Sequence, residues 1–245
     1  MKVSALEFRL RVAIIAIAIS LGFWAPWIEA WHLGRRVTTL EWGALTLARH
    51  GLLPFSVATP AFILLASIFA AIAVVLRVSG TAYMGAYVVN HPEMQAGPVR
   101  ADGPYCYLRN PLYLGTWCMI AAMSAFMPPT GALFALTLIT LFLLRLTLGE
   151  ETFLAARLGE PYRAYCAMVP RFLPQLRGTP PPAGERPDWV RGTLAELGPI
   201  GIFIAVAGIS WSYESMLVIK AIVVSFGVSL VARALLPRSA NAPQP

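Results

Sequence analysis

The stretch "PLYLGTWCMIAAMSAFMPPTGALFALTLITLFLLRLTLGEE", residues 111–151, decides the fold of this 245-residue chain. Two apolar windows, 111–127 and 131–148, are joined by "PPTG", residues 128–131. A connection that short, opened by two prolines and closed by a glycine, forces the windows into an antiparallel helical hairpin. The return leg brings Glu150 and Glu151 back to the level of Arg109 and Tyr113, where the first leg began. A cationic and an anionic cluster far apart in sequence therefore meet at one membrane surface.

Working outward, four more apolar windows stand at 10–27, 59–78, 197–213 and 216–235. A spanning helix needs roughly 20 mostly apolar residues, so the reading is an all-α, polytopic membrane helix bundle of about six transmembrane helices. Composition agrees, with 58% hydrophobic and only 13% charged residues against about a quarter charged in soluble domains. The chain reads as one integral-membrane domain, 1–245. Within it lie a motif core at 100–174, a Pro-rich connecting loop at 175–196 and a C-terminal transmembrane hairpin at 197–236. Residues 29–57 mix Arg35, Arg36, Trp42, Arg49 and His50 with apolar residues and read as a segment lying along the interface.

The net charge of +7 sits mainly beside the apolar windows, so the expected partner is the lipid bilayer with an anionic leaflet and not nucleic acid. With a cytoplasmic N-terminus, all of the 19 Lys and Arg residues except Arg35, Arg36, Arg49 and Lys220 fall on the cytoplasmic side. Both termini and both long polar segments then share that face, and a bacterial inner membrane is the expected location. Cys106, Cys118 and Cys166 show no CxxC spacing, and His32, His50 and His91 are scattered, so no metal site is expected. Oligomeric state is not legible.

Two clusters carry the chemistry. The first is Gly103, Pro104, Tyr105, Arg109, Asn110, Pro111, Tyr113 and Gly115; the second is Glu150, Glu151, Gly159, Glu160, Tyr162, Tyr165, Pro170 and Arg171. Taken singly, each has a bland reading, because arginines and tyrosines at a helix entrance snorkel to headgroups. Brought together by the hairpin, an arginine near the hydrocarbon boundary and a facing carboxylate pair point to a functional site.

"GPYCYLRNPLYLG" at 103–115, followed by "EETFLAARLGEPYRAYCAMVPRFLP" at 150–174, resembles the signature of integral-membrane methyltransferases. That group includes isoprenylcysteine carboxyl methyltransferase and the phospholipid N-methyltransferases. The resemblance implies transfer of a methyl group from S-adenosylmethionine, held in a cytoplasmic cofactor pocket of loops and helix ends, to a lipid, prenyl-type or other hydrophobic acceptor. Carried over residue by residue, it implies that Gly103, Tyr105, Arg109, Asn110, Pro111, Tyr113, Gly115, Glu150, Glu151 and Tyr162 bind the cofactor. Arg109, Glu150, Tyr165 and Arg171 are the implied catalytic set. The chain has Met168-Val169-Pro170-Arg171 where the isoprenylcysteine enzymes usually have Arg-Val-Pro, so the resemblance does not fix the acceptor. Two other classes stay open: a membrane NADPH-dependent reductase of the sterol type, and a non-catalytic membrane scaffold or transporter.

Overall fold

The turn at 128–131 does what its length dictates. In the computed structural model, which describes residues 4–24, 37–175, 180 and 184–235, the chain is a set of helices, with no strand among the described residues. In order they are α1 (Ala5–Arg9), α2 (Arg11–Trp24), α3 (Thr39–Arg49), α4 (Phe55–Met84), α5 (Ala86–Asn90), α6 (Pro111–Ser124), α7 (Pro129–Leu158), α8 (Glu160–Met168), α9 (Trp189–Ala195), α10 (Leu197–Ala207) and α11 (Ser215–Leu235). Short 3-10 turns cover Gly103–Cys106 and Ile209–Ser212.

Helix α6 ends at Ser124 and α7 starts at Pro129, whose missing N–H is one the first turn does not need. Helix α7 then runs 30 residues, about 45 Å at 1.5 Å per residue. Its second half corrects the sequence reading, which opened a separate polar segment at Gly149. Nothing between Leu148 and Leu158 breaks a helix, so Glu150 and Glu151 sit on the same rod as the apolar window. Gly159, at φ +63, ends it. Likewise α4 outruns its window of 59–78, continuing to Met84 before Gly85 turns away at φ +94.

Helix α2 crosses α7 in antiparallel fashion, with Gly22 on Gly131. A Cβ on Gly131 would overlap the Gly22 carbonyl oxygen, and one on Gly22 would lie 2.9 Å from Met127 Sδ. Small residues at a crossing let two backbones approach closely, which is how helices associate without a hydrophobic driving force. At the other end of α2 the chain is tied by Glu7, which pairs with Arg145 of α7 at 3.0 Å. Helix α3 docks on the hairpin turn, its Thr39 and Leu40 N–H groups donating to the carbonyls of Met127 and Ala125. Residues 29–36 of the expected interfacial segment lie outside the described residues.

Helix α4 packs antiparallel to α6 through Gly115, whose hypothetical Cβ would meet Ala73 O at 3.2 Å and Arg77 Cγ at 2.7 Å. The C-terminal part bends by 67° between α9 and α10, at Glu196. Helices α10 and α11 then run side by side, Gly198 facing Ser229 and Gly201 facing Ser225. Residues 176–179 and 181–183 of the Pro-rich loop lie outside the described residues, and Trp189–Ala195 near its end form α9.

Three helices are long and apolar enough to cross a membrane: α4, α7 and α11 through Ala232. The bent pair α9–α10, extended to Ser212, makes a fourth if it counts as one span. Among the described residues the expected six spans are thus not confirmed. Helix α6 and the described part of α2 have 14 residues each, about 21 Å, against a hydrocarbon core of about 30 Å. The chain is a multi-pass membrane helical protein, with Leu64, Val75, Leu133, Leu141, Val224 and Leu230 exposed on its long helices.

Candidate functional site

The two long polar segments meet at the end of the bundle away from the 128–131 turn. Four hydrogen bonds donated by backbone N–H groups fasten them. The Arg109 N–H donates to Pro170 O at 2.9 Å, the Gln175 N–H to Tyr107 O at 3.1 Å, and the Gly184 and Glu185 N–H groups to the buried Asp102 carboxylate at 3.2 and 3.4 Å. Gly103 turns the chain at φ +57, beneath the Tyr83 ring. That turn sends Tyr105 inward, where its hydroxyl donates to Gly80 O at 3.3 Å.

The two adjacent glutamates have different surroundings. Glu151 is buried and accepts from three residues. Arg109 Nη1 lies 3.3 Å from Oε2, Asn110 Nδ2 3.0 Å from Oε1, and Arg171 Nε and Nη2 lie 3.0 and 2.8 Å from Oε2. Asn110 Nδ2 also reaches Arg171 O at 3.3 Å. These hydrogen bonds to Glu151 hold the Arg171 pKa above its ordinary value. Glu150, a third of a turn away, has one side-chain partner among the described residues, the Tyr113 hydroxyl at 2.8 Å. Glu151 thus organises the loops, while Glu150 keeps acceptor capacity.

Tyr162 and Tyr165 are buried, with rings 6.0 Å apart. The Tyr165 hydroxyl donates to Tyr105 O at 2.8 Å. Burial, before any charge effect, pushes the phenols of Tyr105, Tyr162 and Tyr165 up from their ordinary value. At neutral pH these three are uncharged rings.

A cavity of about 660 Å³ opens beside them, within the range of sites for small organic ligands. Its polar end is lined by Tyr105, Arg109, Asn110, Tyr113, Glu150, Glu151, Tyr162 and Tyr165. Pro111 also lines it, whereas Gly103, Gly115 and Arg171 do not. Gly115 lies instead in the α4–α6 contact, and Arg171 reaches the cavity only through Glu151. Away from the polar end the walls are apolar, from Ile15, Ile19 and Phe23 of α2 and Ile219, Ile222 and Phe226 of α11. Arg109 Nε is buried with no acceptor among the described residues.

Two arginines at the cavity escaped the sequence reading, which counted them only as flanking charges. Arg11 Nη2 donates to the carbonyls of Val89 and His91 at 2.9 Å each, Nη1 to Phe8 O at 2.8 Å, and its guanidinium lies 4.0 Å over the Phe8 ring. It ties α2 to the end of α5 and the segment after it, which form part of the cavity wall. Arg77 forms a bidentate pair with Glu196, Nε to Oε2 at 2.7 Å and Nη2 to Oε1 at 2.9 Å. The one signal available was position: an arginine inside a long apolar helix and a lone acid just before an apolar window.

Residues 56–160 match the model of the phospholipid methyltransferase family, so the family likeness read from the motifs is shown for that segment. The matched segment runs from α4 through the hairpin and both glutamates to the start of α8. No curated relative and no solved structure matches significantly.

Proposed function

We propose that the chain is an S-adenosylmethionine-dependent methyltransferase that modifies a lipid or other hydrophobic acceptor. One observation carries the reading: a single cavity has a polar end at the two motif clusters and apolar walls from α2 and α11. A soluble charged cofactor suits the first part and an apolar acceptor chain the second.

The residues present suit the cofactor. S-adenosylmethionine, when bound, supplies a methyl on a positively charged sulfur, beside an ammonium, a carboxylate and an adenosine. Glu150, with one oxygen free of partners among the described residues, is placed to hold a positive group. Arg109, whose Nε is an orphaned buried donor, suits a carboxylate, and the uncharged Tyr162 ring suits an adenine face.

Methyl transfer is an in-line displacement, so alignment and exclusion of water are the protein's main contributions. Glu151 fixes Arg109, Asn110 and Arg171, and with them the height of the loop that ends in Pro111. Tyr113 orients the Glu150 carboxylate through its hydroxyl. Where the acceptor is an amine, Glu150 is the group positioned to receive its proton. Tyr165 contributes by position, its hydroxyl being given to Tyr105 O. The concentration of arginines supports a cytoplasmic motif end in a bacterial inner membrane.

The test is incubation of purified protein with methyl-labelled S-adenosylmethionine and total lipid extract, with identification of the labelled product. A labelled lipid whose formation is abolished by Glu150→Ala is the expected result. Absence of cofactor binding in the wild type would end the proposal.

A further inference from the structure

We propose that Arg77 and Glu196 form a positioning pair that sets one apolar wall of the cavity against the reacting end; the catalytic consequence rests on the methyltransferase reading above. Glu196 is the single residue between α9 and α10, where the chain bends by 67°. Its side chain is 1% exposed. Both carboxylate oxygens are engaged: Oε2 by Arg77 Nε at 2.7 Å, and Oε1 by Arg77 Nη2 at 2.9 Å and Thr81 Oγ1 at 2.7 Å. Arg77 Nη1 donates in addition to Thr116 Oγ1 of α6 at 2.6 Å. One guanidinium thus joins α4, α6 and the bend.

The neighbouring small residues fit this purpose. The stem of Arg77 crosses α6 at Gly115, where a methyl would lie 2.7 Å from Arg77 Cγ. On the far side Gly192 of α9 lies against Ala82 of α4, with no room for a side chain: a Cβ there would be 3.0 Å from Ala82 N. The Asp188 N–H also donates to Ala82 O at 3.0 Å. The motif glycine at 115, expected to approach the cofactor, instead makes room for the pair.

The pair governs more than its own corner. Gly198 and Pro199, the residues that follow Glu196 closely, line the cavity, as does Arg77 itself. Gly198 and Gly201 pack on Ser229 and Ser225 of α11, so α11 moves with α10. The wall formed by Ile219, Ile222 and Phe226 is therefore referenced to the reacting end through the Glu196 carboxylate. A bidentate arginine–carboxylate contact fixes orientation as well as distance, which a hydrophobic contact at a bend would not.

The experiment compares wild type, Glu196→Gln and Arg77→Lys by three readouts. Spin labels replace the exposed Leu133 of α7 and Val224 of α11, and their distance distribution is measured. Equilibrium binding of S-adenosylmethionine and the half-saturating concentration of total lipid extract in the methylation assay are measured on the unlabelled proteins. The expected result is a shifted or broadened label distance in Glu196→Gln. With it go cofactor affinity within about twofold of wild type and a half-saturating lipid concentration raised about tenfold at little-changed maximal rate. Arg77→Lys, which keeps the charge but not the fork, should fall between. An unchanged distance distribution overturns the positioning role, as does a parallel fall of cofactor binding and maximal rate without a change in lipid saturation. Loss of folding in both variants overturns it too, because the pair would then hold the whole bundle. If wild type methylates nothing, the methyltransferase reading fails, and the distance measurement still decides whether the pair sets the wall.

Discussion

Replacing Glu151 by glutamine and replacing Glu150 by glutamine, two changes one residue apart, are expected to have separate effects. At 151 the change leaves Arg109, with a side chain 13% exposed, without its counter-charge. Removing one partner of a buried pair costs about 3–5 kcal/mol. Arg171 is 40% exposed, so its share is that of a surface pair, under about 1 kcal/mol. The glutamine carbonyl still accepts one hydrogen bond, which recovers about 1 kcal/mol. The net is a loss of about 2–5 kcal/mol, or about 4–20 °C in melting temperature for a chain of this size. At 150 the Tyr113 hydroxyl bond survives as a neutral one, and the stability change stays within about 1 kcal/mol. On the proposed reading, affinity for S-adenosylmethionine should by contrast fall at least tenfold at 150, about 1.4 kcal/mol. Thermal unfolding in detergent and equilibrium dialysis with labelled cofactor measure the two quantities. If both variants melt together, or if Glu151→Gln melts like wild type, the division of labour between the glutamates is wrong.

Further tests address the frame around the site. Gly131→Ala places a methyl on the Gly22 carbonyl and should cost about 1–3 kcal/mol of stability; Gly97→Ala, in open space, is the control that should leave melting unchanged. Gly103→Ala combines a left-handed φ of +57 with overlap on the Tyr83 ring. It should lower stability by at least about 1 kcal/mol, read by thermal unfolding. Tyr105, Tyr162 and Tyr165 have folded pKa values raised by burial above their unfolded value of about 10. Their contribution to stability is therefore complete below about pH 10 and is lost as pH rises through the folded values. In an absorbance titration these three phenols should ionise only with unfolding. A folded protein in which all eight tyrosines titrate near pH 10 would contradict this.

Much of the site was legible because it depends on local chain geometry. The prolines at 128 and 129 fix a reversal, and a reversal between two windows of similar length brings their outer ends together. Glu150 and Arg109 could be placed at one level from that alone. Helix lengths were less legible, because hydropathy reports where apolar residues stop and not where the helix does: α7 continues through Glu150–Leu158, which is rich in the good helix formers Glu, Leu, Ala and Arg. The difference between six expected spans and the three or four found among the described residues has the converse cause. Window 111–127 carries no charge, but Pro111 and the turn before Pro129 confine α6 to 14 residues, while residues 25–27 of window 10–27 lie outside the described residues. The unequal partners of Glu150 and Glu151 were out of reach, since helical rotation decides which carboxylate faces Arg171. Arg77 and Glu196, 119 positions apart, carry no spacing rule that would pair them.

The 30-residue rod of α7 has one more consequence. Its roughly 45 Å exceed a hydrocarbon layer of about 30 Å, and the surplus lies at the glutamate end, since the exposed leucines Leu133 and Leu141 hold the other part in lipid. A stiff rod longer than its solvent layer answers a change of bilayer thickness by tilting or sliding. The depth of Glu150 and Glu151 relative to the headgroups is then a function of acyl length in the host membrane. On the proposed methyltransferase reading, turnover measured in bilayers of graded thickness would show a maximum where the glutamates stand level with the part of the acceptor that reacts.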